Sequence, residues 1–141
     1  MGEKGQLSTL AVLLGAVLYN QARYDEAFAL TQVSIEATSP EDHLSQALWR
    51  ALRGEVLARR GEFVEAERLT REAVEVIALT DGIDFQGDVL MSRAEVLRLS
   101  GRDADAVPVV RDALACYERK ENVMSAARAR AALQEWGEAI G

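Results

Sequence analysis

The sequence predicts an all-α fold, a right-handed α-solenoid of antiparallel helical hairpins with about seven helices, and three observations lead there. Arg53-Gly54-Glu55-Val56-Leu57, followed after three residues by Gly61, returns 40 residues later as Arg93-Ala94-Glu95-Val96-Leu97 and Gly101. An earlier copy lies 39 residues upstream, where Leu14-Gly15-Ala16-Val17-Leu18 leads to Ala22 and then to Tyr24-Asp25-Glu26-Ala27, the counterpart of Phe63-Val64-Glu65-Ala66. A period near 40 with small residues at fixed phase marks hairpins that bury their apolar faces only by stacking. Composition agrees: 23 alanines stand against two prolines, and aromatics make up 6%, which favours close-packed helices over sheet. Length points to one domain over 1–141, divided into repeats at about 7–39, 40–79 and 80–120 and a capping helix at 122–138.

The first helix is expected within Gly5 to Ala22, a stretch without a charged side chain. A membrane span needs about 20 apolar residues, and Gln6, Ser8, Thr9, Asn20 and Gln21 interrupt this one. A signal peptide beginning at Lys4 would remove the first half of a repeat whose second half continues in register. What remains is a helix apolar nearly all round, which must be covered on more than one side. Its own hairpin partner covers one face. A preceding repeat or a second copy of the chain would cover the other, through Leu10, Leu13, Leu14 and Val17.

Tyr24 to about Ala37 follows, with Tyr24, Ala27, Phe28, Leu30, Val33 and Ile35 as the apolar stripe. Ser39-Pro40-Glu41-Asp42 reads as a helix start, with Ser39 as cap and Pro40 in the first turn. The helix from Pro40 to Arg60 carries Ala47, Ala51, Gly54 and Ala58 as a small-residue face beside Trp49, Leu52 and Val56, and Gly61 ends it. A return helix from Phe63 to about Ala78 buries Phe63, Ala66, Leu69, Ala73, Val74 and Ile77. Asp81 or Asp84 should cap the next helix after the breaker Gly82, and that helix runs to Ser100 before Gly101. Pro108, five residues past Asp103, predicts a helix that is kinked or starts late. Asn122 caps a last helix to about Gly137, in which Val123, Ala126, Ala129, Leu133 and Trp136 face inward and Arg128, Gln134 and Glu135 face water.

Charge bounds the partners. A net charge of −7 argues against nucleic acid or an anionic membrane, since either needs a basic face. Cys116 is the only cysteine, so no intrachain disulfide forms and a cytoplasmic, reducing compartment is the simpler setting. It reads as a small buried side chain. His43, the only histidine, has no cysteine or second histidine near it to make a metal set. No phosphate loop, metal spacing or nucleophile-base pair is present, so neither an enzyme nor a cofactor is expected. Adjacent acids such as Asp25-Glu26 and Glu41-Asp42 sit at helix starts, where the dipole favours them.

The phase of Gly15, Ala22, Tyr24 and Ala27, then Gly54, Gly61, Phe63 and Ala66, then Ala94, Gly101, Asp103 and Ala106, resembles the tetratricopeptide repeat (TPR). Asp103 departs from it by replacing an aromatic. The segments Trp49-Arg50, Leu57 to Gly61, Tyr117 to Lys120 and Ser125 to Arg130 also resemble the C-terminal repeats of large bacterial signalling ATPases, nucleotide cyclases and transcriptional regulators. The resemblance implies a docking module whose partner is a protein or peptide segment; the alternatives are a homodimerisation module through the uncharged first helix and a peptide or small-molecule sensor domain. It implies a groove lined by the first helix of each hairpin, here Val12, Ala16 and Tyr19, then Leu48, Glu55 and Arg59, then Met91, Glu95 and Arg98. The lysine and asparagine with which some TPR grooves clamp two carboxylates are replaced by Val12 and Ala16. Glu55 with Arg59, and Glu95 with Arg98, read either as peptide-recognition groups or as surface ion pairs along one helix. Arg53 and Arg93, at one phase, read as an anion site or, preferably, as partners of acids on the neighbouring helix.

Overall fold

The computed structural model describes residues 3–140, with side chains through residue 137. These residues form seven α-helices and no strand: α1 Glu3–Asn20, α2 Tyr24–Ala37, α3 His43–Arg59, α4 Phe63–Ile77, α5 Ile83–Leu99, α6 Asp103–Arg119 and α7 Val123–Ile140. Packing is heaviest within the pairs α1/α2, α3/α4 and α5/α6, and each hairpin then leans on the next, chiefly through α3 and α5.

One device turns the chain at four places. Ala22, Gly61, Gly101 and Glu121 all have φ between 59° and 80°. Each is followed by a residue whose N–H reaches back over the turn: Arg23 to the Leu18 carbonyl, Glu62 to Leu57, Arg102 to Leu97 and Asn122 to Tyr117, all at 2.9 Å. This left-handed cap closes the helix end by satisfying carbonyls that have no intrahelical partner. Glycine is free to adopt it, whereas a residue with a Cβ is strained by about 1–2 kcal/mol. The recurrence at Glu121 was hidden in the sequence, because the residue there is not small.

Close approach of the helices rests on the small-residue phase. Ala27, Ala47, Ala66, Ala73, Ala94, Ala106 and Ala113 have no accessible surface. A Cβ on Gly54 would stand 2.7 Å from Thr70 Cγ2 and 3.0 Å from the Ala66 carbonyl oxygen; on Gly87 it would stand 2.7 Å from the Tyr117 ring. Around these contacts lie three adjoining apolar clusters, centred on Leu52 and Ile77, on Leu57 and Leu69, and on Val110 and Tyr117.

Several expectations need correction. Asp42, not Ser39, caps α3: its Oδ1 accepts from the Ser45 N–H at 3.1 Å, while Pro40 stays in the preceding turn. The Ser39 carbonyl instead accepts from the Asp42 N–H and the Gln46 amide. Neither Asp81 nor Asp84 caps α5, whose N-cap is Gly82 with no side-chain bond. Asn122 does cap α7, accepting from the Ser125 N–H at 3.2 Å. The late start at Pro108 is overturned, because α6 runs unbroken from Asp103. Pro108 and Ala104 are both exposed, so water reaches the carbonyl that loses its bond.

Phe63, Val33 and Val123 are exposed at 39%, 37% and 76%, not inward-facing. In α2 the buried places go to Thr31 and Ser34, whose hydroxyls bond inside the fold: Thr31 donates to the Phe28 carbonyl, and Ser34 belongs to a hydroxyl cluster with Ser8 and Thr38. Cys116 is half-buried, and burial raises its thiol above the ordinary value, which keeps it unreactive.

Replacing Glu121 with glycine relieves the strained cap and is expected to raise the unfolding free energy by about 1 kcal/mol. Gly87→Ala is expected to lower it by about 1–2 kcal/mol, the clash with a rigid ring outweighing the better helix propensity. Urea titrations followed by circular dichroism check both.

Candidate functional site

The first helices of the hairpins stand side by side, and between them and α7 runs a groove of about 490 Å³. α1 contributes Val12, Leu13, Ala16, Tyr19 and Asn20; α3 contributes Leu48, Ala51, Leu52, Glu55 and Arg59. From α5 come Phe85, Asp88, Val89, Met91, Ser92 and Glu95, with Tyr117 of α6 and Ser125, Arg128 and Trp136 of α7 closing the far side. α2 and α4 contribute nothing, lying behind α1 and α3, and of the second helices only α6 reaches the groove, through Tyr117.

Of the residues expected in the groove, Val12, Ala16, Tyr19, Leu48, Glu55, Arg59, Met91 and Glu95 line it together. Arg98 does not. It turns along α5, where Nε donates to Glu95 Oε2 at 3.1 Å and an NH2 group donates to Glu95 Oε1 at 2.6 Å, while its guanidinium lies 5.4 Å from the Trp136 ring centroid. The same Glu95 oxygen also accepts from Arg59 at 2.9 Å, and Arg59 Nε donates to the Tyr19 hydroxyl at 3.0 Å. Arg59 therefore bridges three layers. The ion pair expected between Glu55 and Arg59 is not formed, because Arg59 reaches forward to the next repeat and Glu55 turns into the groove.

Glu55 is the unusual group. Burial is the main cause that pushes its carboxyl up to about 7 from an ordinary 4.5; the Ser92 hydroxyl pulls the other way, the Glu95 charge adds to the rise, and Tyr19 and Arg59 oppose it. Tyr19 is itself raised, first by burial and then by Glu55, so it stays protonated, its oxygen accepting from Arg59. At the other end, the Tyr117 hydroxyl donates to Asp88 Oδ1 at 2.5 Å, and burial raises Asp88 despite that bond. The groove thus offers aliphatic and aromatic walls, hydroxyls, and carboxyls in unequal electrostatic states.

Asp88, Ser92, Phe85, Tyr117, Arg128 and Trp136 were missed as groove residues. Asp88 and Ser92 were within reach of the sequence: stepping back from Glu95 by three, four and three residues passes Ser92, then Asp88, then Phe85, all on one face of α5. Arg128 and Trp136 carried no such signal, because the place of α7 depends on the turn at Glu121.

Elsewhere, Arg93 approaches Glu67 at 3.9 Å, in line with pairing to the neighbouring helix. Arg53 is a correction: it donates to Thr31 Oγ1 at 3.0 Å and lies 4.0 Å from the Phe28 ring centroid, since its neighbouring helix offers a hydroxyl and a ring at that height. His43 is exposed at the start of α3. Among the described residues no set of three or more His, Cys, Asp or Glu side chains is placed to hold a metal ion, and no helix is long and apolar enough to cross a membrane.

The raised Glu55 has a direct consequence for stability. Between about pH 4.5 and 7 the folded protein keeps a proton that the unfolded chain has released, so stability falls as pH rises through that window. The loss approaches roughly 3 kcal/mol above pH 7. Glu55→Gln is expected to remove this slope and to be the more stable protein at pH 8, as read from urea midpoints at pH 4.5, 6 and 8.

No family model matches the sequence, and no curated protein matches it. Among solved structures, a TPR-like protein from Chlorobium tepidum TLS is similar, with a TM-score of 0.68 over 96% of this chain and 97% of that chain at 21% identity. At that identity the likeness concerns architecture: the chain has the fold of a TPR-like helical repeat protein.

Proposed function

We propose that the chain is a protein-docking module whose groove between α1, α3, α5 and α7 receives an extended segment of a partner protein. The observation that carries this is the mixed lining of that groove: apolar walls for contact area, with Tyr19, Glu55, Arg59, Ser92 and Glu95 set among them for orientation. The helices that hold these groups are packed in the free protein, so little ordering entropy opposes binding. The resemblance of segments such as Leu57 to Gly61 to repeats of bacterial signalling proteins supports a regulatory or sensory role in such a system.

A second reading is self-association through α1. Leu7, Leu10, Leu13, Leu14 and Val17 are exposed at 43–65%, which is unusual for five large apolar side chains on one helix. The equivalent faces of α3 and α5 dock on the preceding hairpin, and there the counterparts of Val17, Val56 and Val96, are fully buried. The counterparts of Leu14 are Arg53 and Arg93, and those of Leu7 are Gln46 and Gln86. At these two places the face of α1 differs from the interface between this chain's own layers, while Leu10, like Val17, has apolar counterparts there, Trp49 and Val89. Without a charge it can meet its own copy about a two-fold axis with no like-charge contact.

Two experiments test these readings. Random 12-residue peptides displayed on phage and selected on the protein should lose binding to Met91→Arg, inside the groove, and keep it with Val64→Arg, on the exposed side of α4; equal binding to both would refute the groove. Sedimentation should give the wild type twice the chain mass and a Leu10→Glu, Leu14→Glu variant the single mass with unchanged helicity, since exposed substitutions cost about 0.5 kcal/mol or less. A wild type of single mass would refute the dimer.

A further inference from the structure

The groove holds two glutamates at one phase of successive repeats, Glu55 and Glu95, and their surroundings differ. Glu95 is matched by two guanidiniums, Arg59 from the preceding layer at 2.9 Å and Arg98 from one turn along its own helix at 2.6 Å. Three residues along from Glu55, at the place equivalent to Arg98, stands Ala58, and the first-layer counterpart of Arg59 is Asn20. The counterparts of both cations are thus absent. Arg59, four residues along, is drawn to Tyr19 and Glu95, so that its charge acts on Glu55 while among the described residues no cationic side chain forms an ion pair with it. It faces the groove with the Tyr19 and Ser92 hydroxyls beside it.

We propose that this point of the groove receives a primary ammonium, the lysine side chain of the docked segment, with Glu55 as its counter-ion. The proposal rests on the groove being a segment-binding surface and names what that segment must carry. An ammonium presents three donors around a compact charge, and one carboxylate with two hydroxyl oxygens is a matching set. A guanidinium would instead ask for a flat, forked acceptor, the arrangement already made at Glu95. Leu52, Val89 and Met91 give the methylene stem an apolar wall. An ionised carboxylate buried here without a cation is costly, and an arriving ammonium removes that cost.

Binding then requires the ionised form of Glu55. With a free-state value of about 7, the ionised fraction falls roughly tenfold between pH 8 and pH 6, and the affinity should fall with it.

The test uses the strongest 12-residue peptide whose binding is lost with Met91→Arg, measured by fluorescence anisotropy. It should contain a lysine whose replacement by norleucine weakens binding to the wild type at least tenfold and to Glu55→Gln less than twofold. Lowering the pH from 8 to 6 should weaken the wild-type complex about tenfold and leave the variant's complex unchanged. A groove-dependent peptide that binds Glu55→Gln as well as the wild type, or tolerates norleucine, refutes the ammonium site while leaving the groove reading intact. If no selected peptide depends on Met91, both fall together.

Discussion

The constraint on which the rest depends is how closely two helix backbones can approach. At Gly54 even a methyl group would press within 2.7 Å of Thr70 and 3.0 Å of a backbone oxygen, and the alanines at matching phases are sealed from solvent. That contact sets the separation within the second hairpin, and small residues at the same phase, Gly15 and Ala94, recur 39 and 40 residues away, Gly15 lying against Leu52 of the next hairpin. The groove is a by-product of this stacking. Because first helices pack beside first helices, the residues one or two turns from the small-residue face come together as a lining drawn from positions about 40 apart.

Much of this was legible in the sequence because it was periodic. The turns at Ala22, Gly61 and Gly101 and the buried alanines follow from phase, and the part of the groove lining contributed by Val12, Ala16, Tyr19, Leu48, Glu55, Arg59, Met91 and Glu95 is what the resemblance to the tetratricopeptide repeat implies. The rest depended on which neighbour each side chain meets in space. Glu55 and Arg59 are one helical turn apart, so sequence spacing suggests a pair, yet Arg59 finds a better acceptor in Glu95 of the next layer. Arg53 and Arg93 share a phase, but one meets a ring and a hydroxyl and the other a carboxylate, because Phe28 and Glu67 occupy equivalent places on the helices beneath. The helix starts at Asp42 and Gly82 are ambiguous in the sequence for a local reason. Several cap-forming residues stood within a few positions, and the length of the loop decided among them.

Arginine does the cross-layer work. The chain has 14 arginines and two lysines, a bias that a purely solubilising role would not require. Arg53 and Arg60 stand 4.0 and 4.4 Å from the Phe28 ring centroid, Arg60 also reaches Asp25 at 2.9 Å, and Arg102 reaches Glu67 at 2.8 Å. A guanidinium can stack on a ring and donate in its own plane at once, which an ammonium cannot. These contacts are partly exposed, and each contributes little alone. As a series along the stack they orient one hairpin on the next.

That distribution of cations shapes the groove's electrostatics. With arginines engaged at the edges of the layers and Arg59 turned to Tyr19 and Glu95, none among the described residues pairs with Glu55 in the middle of the groove, and Glu55 holds its proton near neutrality. An apolar residue at this point of the groove would be cheaper, since the Tyr19 and Ser92 hydroxyls offset only part of the cost of burying the charge. The cost is local and regular packing elsewhere sustains it. A repeat architecture allows this, because each layer is stabilised by its neighbours and one unfavourable position does not propagate along the stack.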